Sequence, residues 1–249
     1  MAIEVFNRYE HKYLLDKKTY EKVIEIMDEH MELDSHNPNH RSYTIANIYF
    51  DTEDDYLIRR SLEKPQYKEK LRMRAYGVPG EESKVFLEIK KKYHGIVNKR
   101  RTTIGLMEAY KFAESGEMPP VKEYMNKQVL HEIVYFLHQY QPKPKVYLAY
   151  NRIAYFERGN PDLRISFDTN IRTRRCNVHL EEGDYGEALL DEHVYLMEIK
   201  TARTMPLWLA HTLAKLNIHR CSFSKYGTEF MHFVHSDSYH NQIQKESGA

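Results

Sequence analysis

The stretch KEKLRMRAYG, residues 68–77, carries a cation at every second position: Lys68, Lys70, Arg72 and Arg74. Leu71 and Met73 stand between the last three. Alternation with period two marks a half-buried β-strand, so all four charges leave one face of it. Solvent is the ordinary destination for such a face. Here, however, the pattern recurs along the chain. Arg8, Glu10 and Lys12 alternate with Tyr9, His11 and Tyr13, and Phe86, Glu88 and Lys90 alternate with Val85, Leu87 and Ile89. Lys99, Arg101 and Thr103 share a side, and Arg152 lies in YNRIAYF. Arg164, Ser166 and Asp168 alternate with Leu163, Ile165 and Phe167, while Glu198 and Lys200 are flanked by Met197 and Ile199. Glu-x-Lys therefore occurs at 10/12, 88/90 and 198/200.

Cations gathered away from water cost several kcal/mol each unless something neutralises them. The interleaved carboxylates are too few to do so alone, and a polyanion can. Arginine forks match phosphate oxygens bidentately, and lysine supplies compact point charges. A carboxylate on the same face repels phosphate directly but holds a hard divalent ion that phosphate oxygens can share. The pattern points to a triphosphate or polyphosphate bound with Mg²⁺ or Mn²⁺.

The positioning elements follow from periodicity. Strands are expected over residues 3–15, 42–52, 68–77, 84–92, 96–106, 142–156, 163–174 and 193–201. A helix is expected over 17–33, where Tyr20, Val23, Ile24, Met27 and Met31 keep helical spacing. Further helices are expected within 106–140, interrupted at Gly116, Pro119 and Pro120, and in PLWLAHTLAKL and SKYGTEFMHFV. Gly159, Asn160, Pro161 and Asp162 read as a turn. The expected fold is α+β: an eight-stranded antiparallel β-barrel with flanking helices, apolar side chains outward and a charged lumen. No flexible linker divides the chain, so one domain over residues 1–235 with a polar tail over 236–249 is expected.

Bulk composition narrows the classes. With 37 cations against 36 anions, the net charge of +1 speaks against a general nucleic-acid coat, though not against a local basic site. Cys176 and Cys221 have neither metal-ligand spacing nor a disulfide framework. No apolar run approaches the ~18 residues of a membrane span, and no secretory signal opens the chain. A reducing cytoplasm is the expected compartment.

In order, RYEHKYLL, IYFDT, EKLRMRAYG, FLEIKKK, NKRR, YNRIAYF, LRISFD, LMEIKT and PLWL…SFSKYG resemble the motifs of VTC-type polyphosphate polymerase domains. These domains belong to the triphosphate tunnel metalloenzyme, or CYTH-like, superfamily. The likeness runs from about Arg8 to Gly227. It implies an eight-stranded antiparallel tunnel that binds ATP and Mn²⁺ or Mg²⁺ and moves the γ-phosphate onto inorganic phosphate or a growing polyphosphate chain. Carried over by position, Arg72, Arg74, Arg152, Arg164 and Lys200 would act on the transferred group. Lys12, Lys90, Arg101 and Lys225 would bind substrate, with Arg8 and Glu10 beside them. Glu198 would hold the metal, with Glu10 and Glu88 as lesser candidates for metal or for holding neighbouring cations. Hydrolases of the superfamily carry Glu-x-Glu-x-Lys in the first strand, whereas this chain reads Arg8-x-Glu10-x-Lys12. A cation in place of a carboxylate suits a longer anion better than water activation. It favours a polymerase over two alternatives: a triphosphatase on the same scaffold and a non-catalytic polyphosphate-binding module. A passage open at both ends would let the polymer leave as it grows.

Overall fold

A computed structural model describes residues 9–94, 96–202 and 204–236. Arg8 and most of the expected polar tail lie outside the described residues. The elements run β1 (Tyr9–Leu15), α1 (Lys17–Met27), β2 (Met31–Leu33), β3 (Tyr43–Asp51), α2 (Tyr56–Leu62), β4 (Tyr67–Tyr76), β5 (Lys84–Tyr93) and β6 (Ile96–Gly105). They continue with α3 (Leu106–Ser115), α4 (Lys127–Tyr140), β7 (Lys143–Glu157), β8 (Asn160–Arg174), β9 (Glu187–Ala188), β10 (Tyr195–Thr201), α5 (Leu207–Lys215) and α6 (Lys225–Val234). No helix among the described residues is long and apolar enough to cross a membrane.

One antiparallel sheet of ten strands results, with the path β1-β10-β8-β7-β3-β4-β5-β6. The eight path strands are those the alternation marks. The short β2 and β9 pair onto β7 and β8. The expected closed barrel is not formed: β1 and β6 end the path, and no pairing joins them among the described residues. A physical reason sits at the β1 edge. The Cys221 N–H donates to the Lys12 carbonyl at 2.8 Å, so the segment before α6 occupies backbone that a closing strand would need.

Three local expectations are corrected. The helix expected over 17–33 stops at Met27, and Met31–Leu33 pairs with Tyr155–Glu157 as a strand. Backbone groups there find partners on β7, which outweighs helical spacing. The turn expected over 159–162 is shorter. Glu157 pairs with Asn160, leaving Arg158 and Gly159 as the loop, with Gly159 at φ 71°, where a side chain would be strained. Helix α2 was not foreseen. Asp51, at the end of β3, accepts from the N–H groups of Leu57 and Ile58 at 2.8 and 2.9 Å, satisfying donors of the first turn.

The two sheet faces differ as the alternation requires. On the convex side Leu71, Met73, Leu87 and Ile89 pack with Val129, Ile133 and Phe136 of α4. Each such side chain, fully buried, contributes about 1.5–3 kcal/mol. Leu163, Ile165, Phe167, Met197 and Ile199 form a second outward cluster with Val23 and Met27 of α1 and Leu209 of α5. A third cluster lies on the concave side. Tyr226 and Phe230 of α6 pack there with Ile45, Leu148, Tyr150 and Leu196, so α6 fills part of the concavity.

Candidate functional site

Cross-strand register builds the site. Lys12 stands opposite Glu198, Glu10 opposite Lys200 and Lys200 opposite Arg164. Asp168 stands opposite Arg152. Arg72 faces Glu88, which faces Arg101, and Lys70 faces Lys90, which faces Lys99. Lys225 arrives from elsewhere. Ser224 caps α6 by accepting from the Gly227 N–H at 3.2 Å, and this places Lys225 at the first helical position.

Glu198 is the hub of one half. Its Oε1 lies 3.2 Å from Lys12 Nζ and 3.1 Å from Lys225 Nζ. Its Oε2 lies 3.0 Å from Lys200 Nζ and 3.3 Å from Arg152 Nη2. Burial alone would raise the Glu198 pKa, but Lys200, Lys225, Lys12 and Arg152 hold it well below the usual carboxylate range. Asp168, fully buried, takes Arg152 bidentately at 2.6 and 2.7 Å and Lys225 at 2.5 Å. Glu10 reaches Lys12 at 3.4 Å. Burial pushes the Glu10 carboxyl up, yet Lys200, then Lys90 and Lys12, bring it down to about 2.

Glu88 is the hub of the other half. It accepts from Arg72 Nε at 2.6 Å and meets Lys99 Nζ at 2.6 Å, with Arg74 at 3.7 Å. Arg72 also donates to the Tyr49 hydroxyl at 3.1 Å. Arg74 is fixed by Asn47 at 3.0 Å and the Tyr150 hydroxyl at 3.4 Å. Glu88 thus holds Arg72, Lys99 and Arg74 around one carboxylate. Arg164 pairs with Asp34 at 3.0 Å, and Arg101 lies over the Phe86 ring at 4.7 Å.

Eight cations, Lys12, Arg72, Arg74, Lys99, Arg152, Arg164, Lys200 and Lys225, thus share five carboxylates, Glu10, Asp34, Glu88, Asp168 and Glu198, while Lys70, Lys90 and Arg101 stand on the same face without an ion pair among the described residues. They divide by access. Arg74, Arg152 and Lys225 are buried and fastened, whereas Lys12, Arg72, Arg164 and Lys200 keep about a fifth to a quarter of their side chains exposed. Lys90 and Arg101 are exposed. Although open to solvent, Lys90 has protein around it: burial lowers its pKa, partly countered by Glu10 and lowered further by Lys12 and Arg72. The water it meets is that of the concavity.

Sequence reasoning left four members without a role. Asp168 stands on the same parity as Arg164 and Ser166, and that parity was its only signal. Lys70 and Lys99 belong to the alternating pattern, but their direct cross-strand alignment through Lys90 depends on register. Asp34 gave no signal, because a loop delivers it.

The sequence profile of the VTC domain matches residues 7–234. The chain belongs to the VTC domain family. None of the curated proteins matches it significantly. Among solved structures, the VTC domain chain is similar to a candidate adenylate cyclase from Bacillus halodurans, at 16% identity and a TM-score of 0.54, covering 89% of this chain and 96% of that one. A candidate adenylate cyclase from Vibrio parahaemolyticus aligns at 11% identity and a TM-score of 0.46, covering 90% and 97%. The first likeness bears on fold alone.

The resemblance of the sequence motifs implies a divalent metal, so the donor set of this VTC domain can be tested for fit. No three His, Cys, Asp or Glu side chains gather as a metal cluster among the described residues. A closed, all-protein site is therefore not what this face offers. Glu198 and Glu10 do share one cation, the Lys12 ammonium, at 3.2 and 3.4 Å. Mg²⁺ and Mn²⁺ sites commonly combine one or two carboxylates with substrate phosphate oxygens, and this pair fits that kind of site. Accordingly, Mn²⁺ alone is expected to bind weakly and to bind tightly only with ATP present. Titration followed by the Mn²⁺ electron paramagnetic resonance signal checks this, and equal affinity without nucleotide would refute it.

Proposed function

We propose that this VTC domain is an ATP-dependent polyphosphate polymerase, transferring the γ-phosphate of ATP to inorganic phosphate or to the end of a polyphosphate chain. The observation that carries the reading is the excess of cations over carboxylates on one concave face, gathered around Glu198 and Glu88. Such a face recognises an anion with many oxygens in a row.

In this reading an oxygen of the acceptor phosphate attacks the γ-phosphorus. The bond from that phosphorus to the β,γ-bridging oxygen breaks, and ADP leaves with the electron pair. The acceptor is already anionic, so no general base is required. Protein catalysis then rests on position and charge. The accessible Arg72, Arg164, Lys200 and Lys12 would meet phosphate oxygens directly, with Lys90 and Arg101 further along the same face. Arg74, Arg152 and Lys225, fastened to Asn47, Asp168 and Glu198, would hold the field in place. A Mn²⁺ or Mg²⁺ ion held by Glu198 and Glu10 would supply further neutralisation of the phosphate oxygens.

The test is product accounting. With ATP and Mn²⁺ or Mg²⁺, ADP is expected to be matched by acid-stable polymer with little free phosphate. ADP matched by free phosphate would assign a triphosphatase instead. Polyphosphate bound without turnover would leave a binding module.

A further inference from the structure

Between α2, the start of β4 and the end of α4 lies a cavity of about 570 Å³, lined also by Lys68. Its lining includes Tyr56, Leu57, Arg60, Tyr67, Glu69 and Tyr140. Glu69 is the unusual member. It sits on the outward parity of β4, in line with Leu71 and Met73, and is only 7% exposed. The Tyr140 hydroxyl donates to its Oε1 at 2.8 Å. Tyr67 is beside it, with its phenol pushed up to about 12 by burial and by the Glu69 carboxylate. Phenols satisfy hydrogen bonds but bring no positive charge, and no ion pair to Glu69 is formed among the described residues.

The neighbouring cations are engaged elsewhere. Arg60 pairs with Glu63 at 2.8 Å. Lys68 Nζ donates to the Ser61 carbonyl at 2.8 Å. Lys91, opposite Glu69 in the register, pairs with Glu132 at 3.0 Å. A buried carboxylate without a counter-charge is costly, and this one borders open space. That space has aromatic walls. The rings of Tyr56 and Tyr140 have centroids 6.5 Å apart and planes 30° from parallel. Tyrosine faces attract cations, more strongly when water is excluded.

We propose that this cavity binds an organic cation with a guanidinium or primary ammonium head, the charge paired with Glu69 and the head held at the rings of Tyr56 and Tyr140. The cavity lining shares no residue with the proposed phosphate site, so its fate does not depend on the polymerase reading.

Agmatine is the probe, titrated calorimetrically into the full chain. Saturable one-site binding with a Kd of about 1 mM or tighter is expected. Glu69→Gln, which keeps an acceptor for Tyr140, should weaken it at least about tenfold, the loss of a charge-assisted pair. N-butylurea, an uncharged analogue, should not bind. Absence of saturable heat, unchanged affinity in Glu69→Gln, or equal binding of N-butylurea would each overturn the proposal. Should Glu69→Gln fail to fold, Tyr56→Ala decides, since that ring is 44% exposed and removable: weakened binding supports the site, and unchanged binding overturns it. Both variants should keep the rise in Tm that tripolyphosphate gives the parent protein, because the concave face is untouched.

Discussion

Replacing Glu198 by glutamine is expected to lower stability by about 3 kcal/mol, or about 10 °C in Tm, while polyphosphate binding is retained or strengthened. Four cations lie within 3.3 Å of this one buried carboxylate. Without its charge they repel one another. Asp168 still compensates Arg152 and Lys225, and Glu10 still reaches Lys12, which keeps the loss toward the lower end for a broken buried pair. A polyanion replaces the missing charge, so tripolyphosphate should raise the Tm of Glu198→Gln by more than that of the parent. Phosphotransfer should fall by about 10²–10³-fold, the scale for losing one preorganised electrostatic group.

The pH dependence has a definite sign. Because the folded-state pKa of Glu198 is held below the ordinary 4.5, its stabilisation is present above that value. It is lost as pH falls through the folded pKa. Denaturant unfolding against pH should therefore show a shallower acid decline in Glu198→Gln. A variant as stable and as active as the parent would remove Glu198 from the centre of the site.

Anion binding near pH 8 is expected to draw protons from solution, up to two per site. Burial, then Lys68 and Lys90, brings the Lys70 ammonium down to about 7. Lys99 also comes down to about 7, through burial first and then Arg74 and Arg72, against the opposing pull of Glu88. Their row through Lys90 places three like charges side by side on adjacent strands. Between about pH 7 and the ordinary lysine value of 10.5, the unfolded chain binds more protons than the folded one. Stability contributed by these groups therefore rises with pH across that window. Phosphate oxygens restore the charged form, so binding takes up protons within the same window. Calorimetry of metal-free ATP binding at about pH 8, in buffers of different ionisation enthalpy, reads the uptake. The Lys70→Met/Lys99→Met variant removes the ligand's own protonation by subtraction. Equal uptake by parent and variant would show that the row stays charged, and at about pH 6 both should show little.

Much of the site was legible because strand parity is a local property. Once Leu71 and Met73 need burial, Lys70, Arg72 and Arg74 must face the other way, whatever the rest of the chain does. The same logic placed Lys12, Glu198 and Lys200 on one side without knowledge of their neighbours. Parity could not say which carboxylate serves which cation. Glu88 and Glu198 look alike in Glu-x-Lys, yet register gives Glu88 to Arg72 and Lys99 while Glu198 gathers Lys12, Lys200, Arg152 and Lys225.

By itself, then, the sequence determined the two faces of the sheet, the strand set and the chemistry of the anion that the inner face suits, because side-chain direction and charge are written residue by residue. The tertiary structure decided what depends on distant segments meeting. It left the path open where Cys221 takes the β1 edge. It packed α6 into the concavity, drove Lys225 between Asp168 and Glu198 and brought Asp34 to Arg164 from a loop. Those meetings are fixed by loop closure and packing between segments from 27 residues apart, as for Lys225 and Glu198, to 130 and more, as for Arg164 and Asp34, and no local pattern encodes them.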